Sequence, residues 1–273
     1  MSAEGYDAGD SGKQPEVTGD AVPEVAAAAG RPQWTLSLVS HGHLPSVRCL
    51  LTQLREFYWP GRFEVVLTIN DTADHRAGVD LPALWPGPLH IIRNTRPRGF
   101  AANQNAAFAR ARGRLFAIID ADLEFGGDPF PALADVLENP QFDGVIAPSI
   151  VDERGRPQDN GRELLTPAAL LRRYAAPRRP LRVDRLTPVD WVAGLFLAMR
   201  AETFWALGGM DEGYFLYCED VDLSVRAWNA GMRVALVPTP PVIHRARRMS
   251  RRHPRFLLWH CQSIVRLWRS PGY

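Results

Sequence analysis

The chain has 273 residues, 46% hydrophobic and 23% charged, which is the make-up of an ordinary soluble globular protein with room for one sizeable α/β domain or two fused halves. No apolar run approaches the ~20 residues that cross a bilayer, and Cys49, Cys218 and Cys261 lie far apart with no C-x-x-C spacing, which argues against a disulfide framework or a zinc site and fits a reducing cytoplasm. The formal net charge of +2 divides into −5 over residues 1–30 and +7 over the remainder.

Residues 1–30 are rich in Gly, Ala, Asp and Glu, with neither the basic start nor the apolar core of a signal peptide, and read as a disordered tail. Trp34–Ser40 is a β-type run followed by the polar turn HGHLP. Pro45–Trp59 places Val47, Leu51, Leu54 and Tyr58 at helical spacing. Phe63–Ile69 and Leu89–Ile92 are further strands. Gly99–Gly113 is Ala-rich and helical, with a glycine to end it. Leu115–Ile119 is a continuous apolar run, as a strand buried on both faces should be. Strands alternating with helices imply βαβ units and a mostly parallel sheet, with ligands beyond the carboxyl ends of the strands. That rule gives most weight to Ser40–His43, Asn70–Asp74, Asn94–Arg98 and Asp120–Asp122. The second half is less regular. Val145–Ile150 is a strand, Asp152–Pro188 a polar excursion, Val189–Arg200 a long strand, and Ala201–Leu207 and Glu219–Ala230 are helices. Met232–Val237 is the last strand.

Asp120 and Asp122, two residues apart after Leu115–Ile119, can converge on a hard cation such as Mg²⁺ or Mn²⁺, which prefers oxygen ligands and keeps phosphates as partners. A turn or a cap is the competing reading. The stretch Gly208–Gly231 sets Asp211, Glu212, Glu219, Asp220 and Asp222 among aromatic and apolar residues. Glu219 and Asp220 fall where a helix should begin, so a capping pair competes with a general base that takes a proton from a hydroxyl. His244, beyond the proline-rich VPTPPVIH segment, is either structural or a metal ligand.

These pieces resemble the family 2 inverting glycosyltransferases of the GT-A fold, in particular their rhamnosyltransferase-like bacterial branch. The matching pieces stand in order: a strand ending in Ser40; Asn94 with Gly99-Phe100-Ala101 and Asn105; Asp120-Ala121-Asp122; Val189-Asp190-Trp191-Val192-Ala193-Gly194; Gly208-Gly209-Met210-Asp211-Glu212; Tyr217-Cys218-Glu219-Asp220-Val221-Asp222-Leu223; Gly231; and Val237-Pro238 with His244. The resemblance runs from Trp34 to about Ser250 and implies an α/β fold, a Rossmann-like half with a mostly parallel sheet fused to an acceptor-binding half. Its divisions are a tail over residues 1–33, a domain over 34–245 split into a nucleotide-sugar half (34–122) and an acceptor half (123–245), and a basic amphipathic segment over 246–273.

The resemblance also implies roles. Asp122 and His244 would ligate the divalent metal on the donor diphosphate, with Asp120 near the ribose or the metal. Asp220 would be the general base, and Glu219 beside it would orient the acceptor. Trp191 and Gly194 would line the floor under the sugar. Ser40, Asn70, Arg98 and Asn105 would lie on the donor side. Where the family carries an Asp-Asn pair after the second strand, this chain has Ile69-Asn70-Asp71, so either Asp71 or Asn70 substitutes or the base is contacted differently. The implied substrates are a nucleoside diphosphate sugar, with rhamnose as first donor, and a glycan or lipid-linked glycan acceptor in cell-envelope polysaccharide synthesis. The competing readings are a non-catalytic sugar-nucleotide-binding relative, which would not need Asp122, Asp220 and His244 intact, and a nicotinamide dehydrogenase, which the missing G-x-G-x-x-G excludes.

Beyond His244 the chain interleaves Arg245, Arg247, Arg248, Arg251, Arg252, Arg255, Arg266 and Arg269 with apolar residues, of which Leu257, Ile264 and Trp268 share a helical face. This suits either packing on the domain or peripheral contact with an anionic membrane from the cytoplasmic side; nothing in it matches a nucleic-acid motif. Arg247 and Arg248 are further candidates for the donor diphosphate.

Overall fold

Apolar runs that a strand can bury on both faces build the centre of the computed structural model, which describes residues 31–71, 74, 81–166, 168–169, 181–245, 254–270 and 272–273. The chain divides into two units, residues 1–30 and Arg31–Tyr273. The disordered reading of residues 1–30, and the placing of Arg247 and Arg248, lie outside the described residues.

Strands β1 (Trp34–Ser40), β2 (Phe63–Ile69), β3 (Leu89–Arg93) and β4 (Leu115–Ile119) pair in parallel in the order β3-β2-β1-β4. Helices α1 (Leu44–Glu56), α2 (Leu81–Leu84) and α3 (Phe100–Phe108) lie in the connections between them. After β5 (Leu123–Phe125), α4 (Phe130–Leu137) and β6 (Gly144–Val151) come the short strands β7 (Gly161–Arg162), β8 (Thr187–Pro188) and β9 (Trp191–Val192). Then follow β10 (Phe196–Arg200), α5 (Ala201–Ala206), α6 (Glu219–Asn229), β11 (Arg233–His244) and α7 (Pro254–Arg269). The sheet continues from β4 through β10, β6 and β11 to β5. β10 is antiparallel to both β4 and β6, and β5 to β11, so β3, β2, β1, β4, β6 and β11 share one direction. The mostly parallel expectation holds.

Side-chain alternation divides the core into two layers. Leu115, Ala117 and Ile119 of β4 join Phe196 and Ala198 of β10 on the α1 and α4 side, whereas Phe116, Ile118, Leu197 and Met199 meet residues of α3, α5 and α6. A third cluster gathers Leu165, Trp191, Tyr214, Cys218, Val221, Val225 and Leu267 beneath α7.

Three elements differ from the sequence reading. The long strand expected over Val189–Arg200 is two strands, because β9 pairs with β7 in a separate sheet while β10 pairs with β4, and the chain turns at Ala193–Leu195 to pass between them. The helix expected to reach Gly113 ends at Phe108, since Gly113 must run against β1, where a Cβ would sit 2.4 Å from the Thr35 nitrogen. The last strand does not stop at Val237; past a register shift through its prolines it resumes pairing at Val242 and ends on His244.

Burial of one cation in this frame can be tested. Arg62 is only 2% exposed, packs its guanidinium against Trp59 and Phe63, and meets Asp128 at 2.6 Å. Asp128→Ala leaves that charge without its acid and is expected to cost about 2–4 kcal/mol by chemical denaturation, somewhat reduced by the partial exposure of Asp128; a loss within about 0.5 kcal/mol, the usual surface effect, would show that water reaches the guanidinium.

Candidate active site

The carboxyl ends of β1 to β3 form one rim of a cleft. Ser40 Oγ donates to Asp74 at 2.8 Å, and the same carboxylate accepts the Gly42 N–H at 2.9 Å. Asn70, Asn94 and Asn103 form a buried amide network. Asn70 Oδ1 accepts the Arg98 N–H at 2.8 Å and an Asn94 N–H at 2.7 Å, Asn70 Nδ2 donates to the Arg98 carbonyl at 2.9 Å, and Asn94 also reaches Asn103 at 2.8 Å. The network braces the segment that carries Arg98, whose guanidinium extends to Glu212 at 3.5 Å. Asn70 thus spends its amide on the loop. Asn105 is occupied in the same way: its Oδ1 accepts the Met210 N–H at 2.9 Å and its Nδ2 donates to the Met210 carbonyl at 2.8 Å. It pins α3 to the Gly208–Glu212 turn, where Gly209 has φ +72° and a Cβ would stand 2.6 Å from the Asn105 amide oxygen.

The end of β4 supplies the acids. The Asp120 N–H donates to the Leu195 carbonyl at 2.8 Å, which joins β4 to the turn before β10. Its surroundings, and then the charge of Asp122, push the Asp120 carboxyl up to about 7. The residue is nonetheless exposed to solvent, which offsets part of that rise. Three residues on, β5 begins, and its antiparallel register with β11 sets His244 opposite Leu123. His244 Nε2 consequently faces Asp122 Oδ1 at 3.7 Å, and that oxygen is buried with no hydrogen-bond partner.

Gln158 fixes which histidine nitrogen carries the proton. Its Nε2 donates to the His244 carbonyl at 2.6 Å, so its Oε1 is the atom 3.0 Å from Nδ1 and must accept a proton from it. That leaves the Nε2 lone pair aimed at the orphaned Asp122 oxygen. Two facing acceptors with no donor between them fit a cation, and the Gln–His contact is the outer-shell arrangement that orients a metal-binding imidazole. Burial lowers the His244 pKa, with Asp122 opposing, which favours the neutral, ligating form. No three His, Cys, Asp or Glu side chains converge as a cage among the described residues; two protein ligands with phosphate and water completing the shell is the usual habit of Mg²⁺.

The third component comes from the N-terminus of α6. Asp220 Oδ2 accepts the Gly194 N–H at 2.9 Å and Oδ1 accepts the Val221 N–H at 2.8 Å. Burial pushes the Asp220 carboxyl up, while those two N–H groups and the Arg162 charge pull it back. Glu219 is 5% exposed, its Oε2 lacks a partner, and burial followed by the Asp220 charge raises its pKa well above the usual carboxylate range. The residues before it are bent into place: Tyr217 and Cys218 both have left-handed φ, 73° and 67°. Gly194 binds Asp220 and Leu195 binds Asp120, so one turn joins the base candidate to the segment that carries the metal-side acids.

Residues 44–207 match the family Glycosyl transferase family 2. The chain belongs to that family. Among curated relatives, a stretch of 81 residues, 29% of this chain and 31% of the relative, is 42% identical to Rhamnosyltransferase WbbL of Escherichia coli K12. Another of 152 residues, 50% of this chain and 48% of the relative, is 32% identical to N-acetylglucosaminyl-diphospho-decaprenol L-rhamnosyltransferase of Mycobacterium tuberculosis. The chain therefore spans half or less of the length of these relatives. Among solved structures, the mannosyltransferase PcManGT of Pyrobaculum calidifontis with GDP-Man and Mn²⁺ aligns over 86% of this chain and 65% of its own at TM-score 0.56 and 20% identity. GalNAc-T7 with UDP, GalNAc and Mn²⁺ aligns over 79% and 44% at TM-score 0.54, also at 20% identity. At such identity these two establish the GT-A fold alone.

Of the expected residues, the Ala193–Leu195 turn links Asp220, through Gly194, to Asp120, through Leu195, and Asp120 stands beside Asp122, which faces His244. Ser40 and Asp71 lie at the ends of β1 and β2, where Asp71 Oδ2 comes within 3.7 Å of a Cβ built on Gly42. Trp191 is not a floor residue: it is 3% exposed, donates to the Glu163 carbonyl at 2.8 Å, and has the Arg162 guanidinium 4.8 Å above its ring. β9 turns it into the third core cluster. Gln158, Arg162 and Asn103 escaped the sequence reading, whereas Asp74 and Asn94 fell within the weighted strand ends without an assigned role. Gln158 and Arg162 sit in a polar segment without periodicity, and Asn103 in a helix read only as Ala-rich.

The buried acid pair has a pH signature. Carboxyls whose pKa is higher folded than unfolded add stability below their unfolded pKa, near 4, and that contribution is lost as pH rises through the folded value. Glu219→Gln is therefore expected to raise the melting temperature of the chain at pH 8, with the gain shrinking towards zero near pH 4; a gain that is constant with pH would show that Glu219 is not held protonated by its burial.

Proposed function

We propose that the chain is an inverting, metal-dependent glycosyltransferase that moves a sugar from a nucleoside diphosphate sugar onto a hydroxyl of a glycan or lipid-linked glycan. The reading is supported by one observation: the Gly194–Leu195 turn is bonded on one side to Asp220, a half-buried carboxylate of raised basicity, and on the other to Asp120, next to the unsatisfied Asp122 oxygen that faces the His244 imidazole. Rhamnose is the first donor to test, because rhamnosyltransferases stand among the relatives, and a decaprenol-linked acceptor named for one of them makes lipid-linked glycans the first acceptor class. A cytoplasmic location, at the inner face of the membrane that holds such acceptors, follows from that acceptor.

Asp122 and His244 would hold Mg²⁺ or Mn²⁺, which supplies charge neutralisation for the departing diphosphate. Arg98 adds a cation on the donor side, and Ser40 with Asp71 bounds the nucleotide; Asn70, Asn94, Asn103 and Asn105 keep those groups in place. Asp220 accepts the proton of the acceptor hydroxyl as its oxygen attacks the anomeric carbon from the face opposite the leaving group, and a single displacement inverts the configuration. The Gly194 and Val221 N–H groups hold the Asp220 carboxylate oriented. Glu219, kept neutral by its burial, can donate a hydrogen bond to the acceptor.

Two measurements test this. Asp220→Asn should lower turnover by about 10²–10⁴ while Mn²⁺-dependent binding of the nucleotide sugar, read by calorimetry, stays within twofold; loss of both together would make Asp220 a structural residue. Gln158→Leu should weaken Mn²⁺ binding about 10–100-fold, read directly by electron paramagnetic resonance, and should add nothing in a His244→Ala background. Equal effects in both backgrounds would assign Gln158 to the fold and not to the imidazole.

A further inference from the structure

The sequence puts Leu257, Ile264 and Trp268 on one face of α7 and suits either packing on the domain or contact with an anionic membrane. The face that packs is centred about a quarter-turn from those residues. Leu267 is fully buried and Ser263 nearly so, Ser263 Oγ donates to the Leu216 carbonyl at 2.9 Å, His260 stacks on Tyr217 at 4.9 Å, and Trp259 meets Phe215 at 4.9 Å. The opposite face is left outward and is apolar: Leu257 is 65% exposed, Leu258 57%, Val265 44% and Trp268 41%, with exposed Cys261 between them. On a helix these five positions fall within about a third of the circumference.

Charge is segregated onto the same segment. Residues 245–273 contain eight arginines and no acidic residue, while residues 31–244 sum to −1. The net positive charge of the chain thus resides in its last 29 residues. On the helix itself Arg269 flanks the apolar stripe, and Arg266, which pairs with Asp211 at 2.7 Å, borders an open groove of about 670 Å³ that Cys261, Val265 and Arg269 also line.

We propose that the outward face of α7 is a docking surface for an anionic lipid bilayer, with Leu257, Leu258, Val265 and Trp268 entering the interface and Arg269, together with the positive charge of the same stretch of sequence, meeting lipid phosphates. An apolar stripe beside concentrated positive charge is the pattern of a helix that lies in the interface plane. A second copy fits poorly, because it would bring an equal array of arginines against the first. The membrane-held acceptor class in the proposed function is deepened by this surface, on which it does not depend. The inner face of α7 grips Phe215–Tyr217, the residues that lead into Glu219 and Asp220, so docking would set the base's end of the cleft beside the bilayer where a lipid-linked glycan stands.

The test is flotation of the full chain with vesicles of phosphatidylcholine alone or with 30% (roughly one lipid in three) phosphatidylserine, beside the Leu257→Asp/Val265→Asp variant. Both positions are solvent-exposed, so the melting temperature and the donor binding of the variant should match the wild type. The wild type is expected to partition at least about tenfold more into the anionic vesicles, to lose this in high salt, and to lose it by about tenfold in the variant. No flotation of the wild type, flotation equal for variant and wild type, or a concentration-dependent dimer in light scattering that the variant abolishes would each overturn the proposal. Glycosyl transfer to a soluble acceptor, measured in parallel, reports on the catalytic reading independently: it can persist while flotation fails, or fail while flotation persists.

Discussion

The joining of the two sets of acids depends on the turn at Ala193–Leu195, where the chain leaves a two-stranded sheet and enters the main one. Two main-chain bonds in succession, Gly194 N–H to Asp220 and Asp120 N–H to the Leu195 carbonyl, tie the start of α6 to the end of β4. Charge-assisted bonds of the first kind are about twice as strong as neutral ones, and this one opposes the cost of holding a carboxylate away from bulk water. Glu219, with an unpartnered oxygen beside Asp220, has only its own N–H to oppose the cost of its burial. The pair is therefore asymmetric: one acid is oriented as an acceptor and its neighbour is driven towards the protonated form, and opposing environments of that kind separate the tasks of chemically identical groups.

The asymmetry is sustained by strain. Consecutive left-handed φ angles at Tyr217 and Cys218 cost about 1–3 kcal/mol each in side-chain-bearing residues. They persist because both flanks are over-determined. The Phe100 N–H holds the Phe215 carbonyl at 2.9 Å, and a Cβ on Gly99 would clash with that carbonyl at 2.7 Å, so glycine is what permits the approach. On the other side Ser263 holds Leu216, His260 stacks on Tyr217, and Cys218 is buried in the cluster that Leu267 completes. Burying a leucine contributes about 1.5–3 kcal/mol, comparable with the strain at one of these residues. α7 is in this sense part of the active site, although none of its described residues reaches the cleft.

β1 and β2, which bury Thr35, Ser37, Glu64 and Thr68 among their apolar residues, were legible from their β-type composition, and β4 was legible because a strand buried on both faces tends to read as a continuous apolar run. Asp120 and Asp122 were legible for the same reason, standing at the end of such a run. The division of Val189–Arg200 was not, since an apolar run does not say which of two sheets each residue pairs with. His244 was found through an ordered family motif; what places it, three residues of β5 too short to show periodicity and a register that resumes after four intervening residues of β11, leaves no pattern in the sequence. Gln158 was invisible because its function is to fill both hydrogen-bonding ends of a distant histidine, and a lone glutamine in a polar excursion carries no trace of that. Trp191 was misplaced because a tryptophan beside a glycine reads equally well as cleft wall or core.

Two kinds of support divide the cleft. Asp120, Asp122 and His244 are set by strand register, which is all-or-none: a slip of one residue in β5 or β11 would turn the side chain to the other face of the sheet. Geometry of that kind suits a cation and a diphosphate, whose demands do not change from one sugar to another. Glu219 and Asp220 are instead set by a strained loop wedged between α3 and α7, and side-chain packing of that sort can be adjusted by small volume changes without altering the sheet. On the proposed reading the acceptor end can be retuned while the donor end stays fixed, and the residues that would do the retuning are Phe215 to Cys218 and their partners on α7.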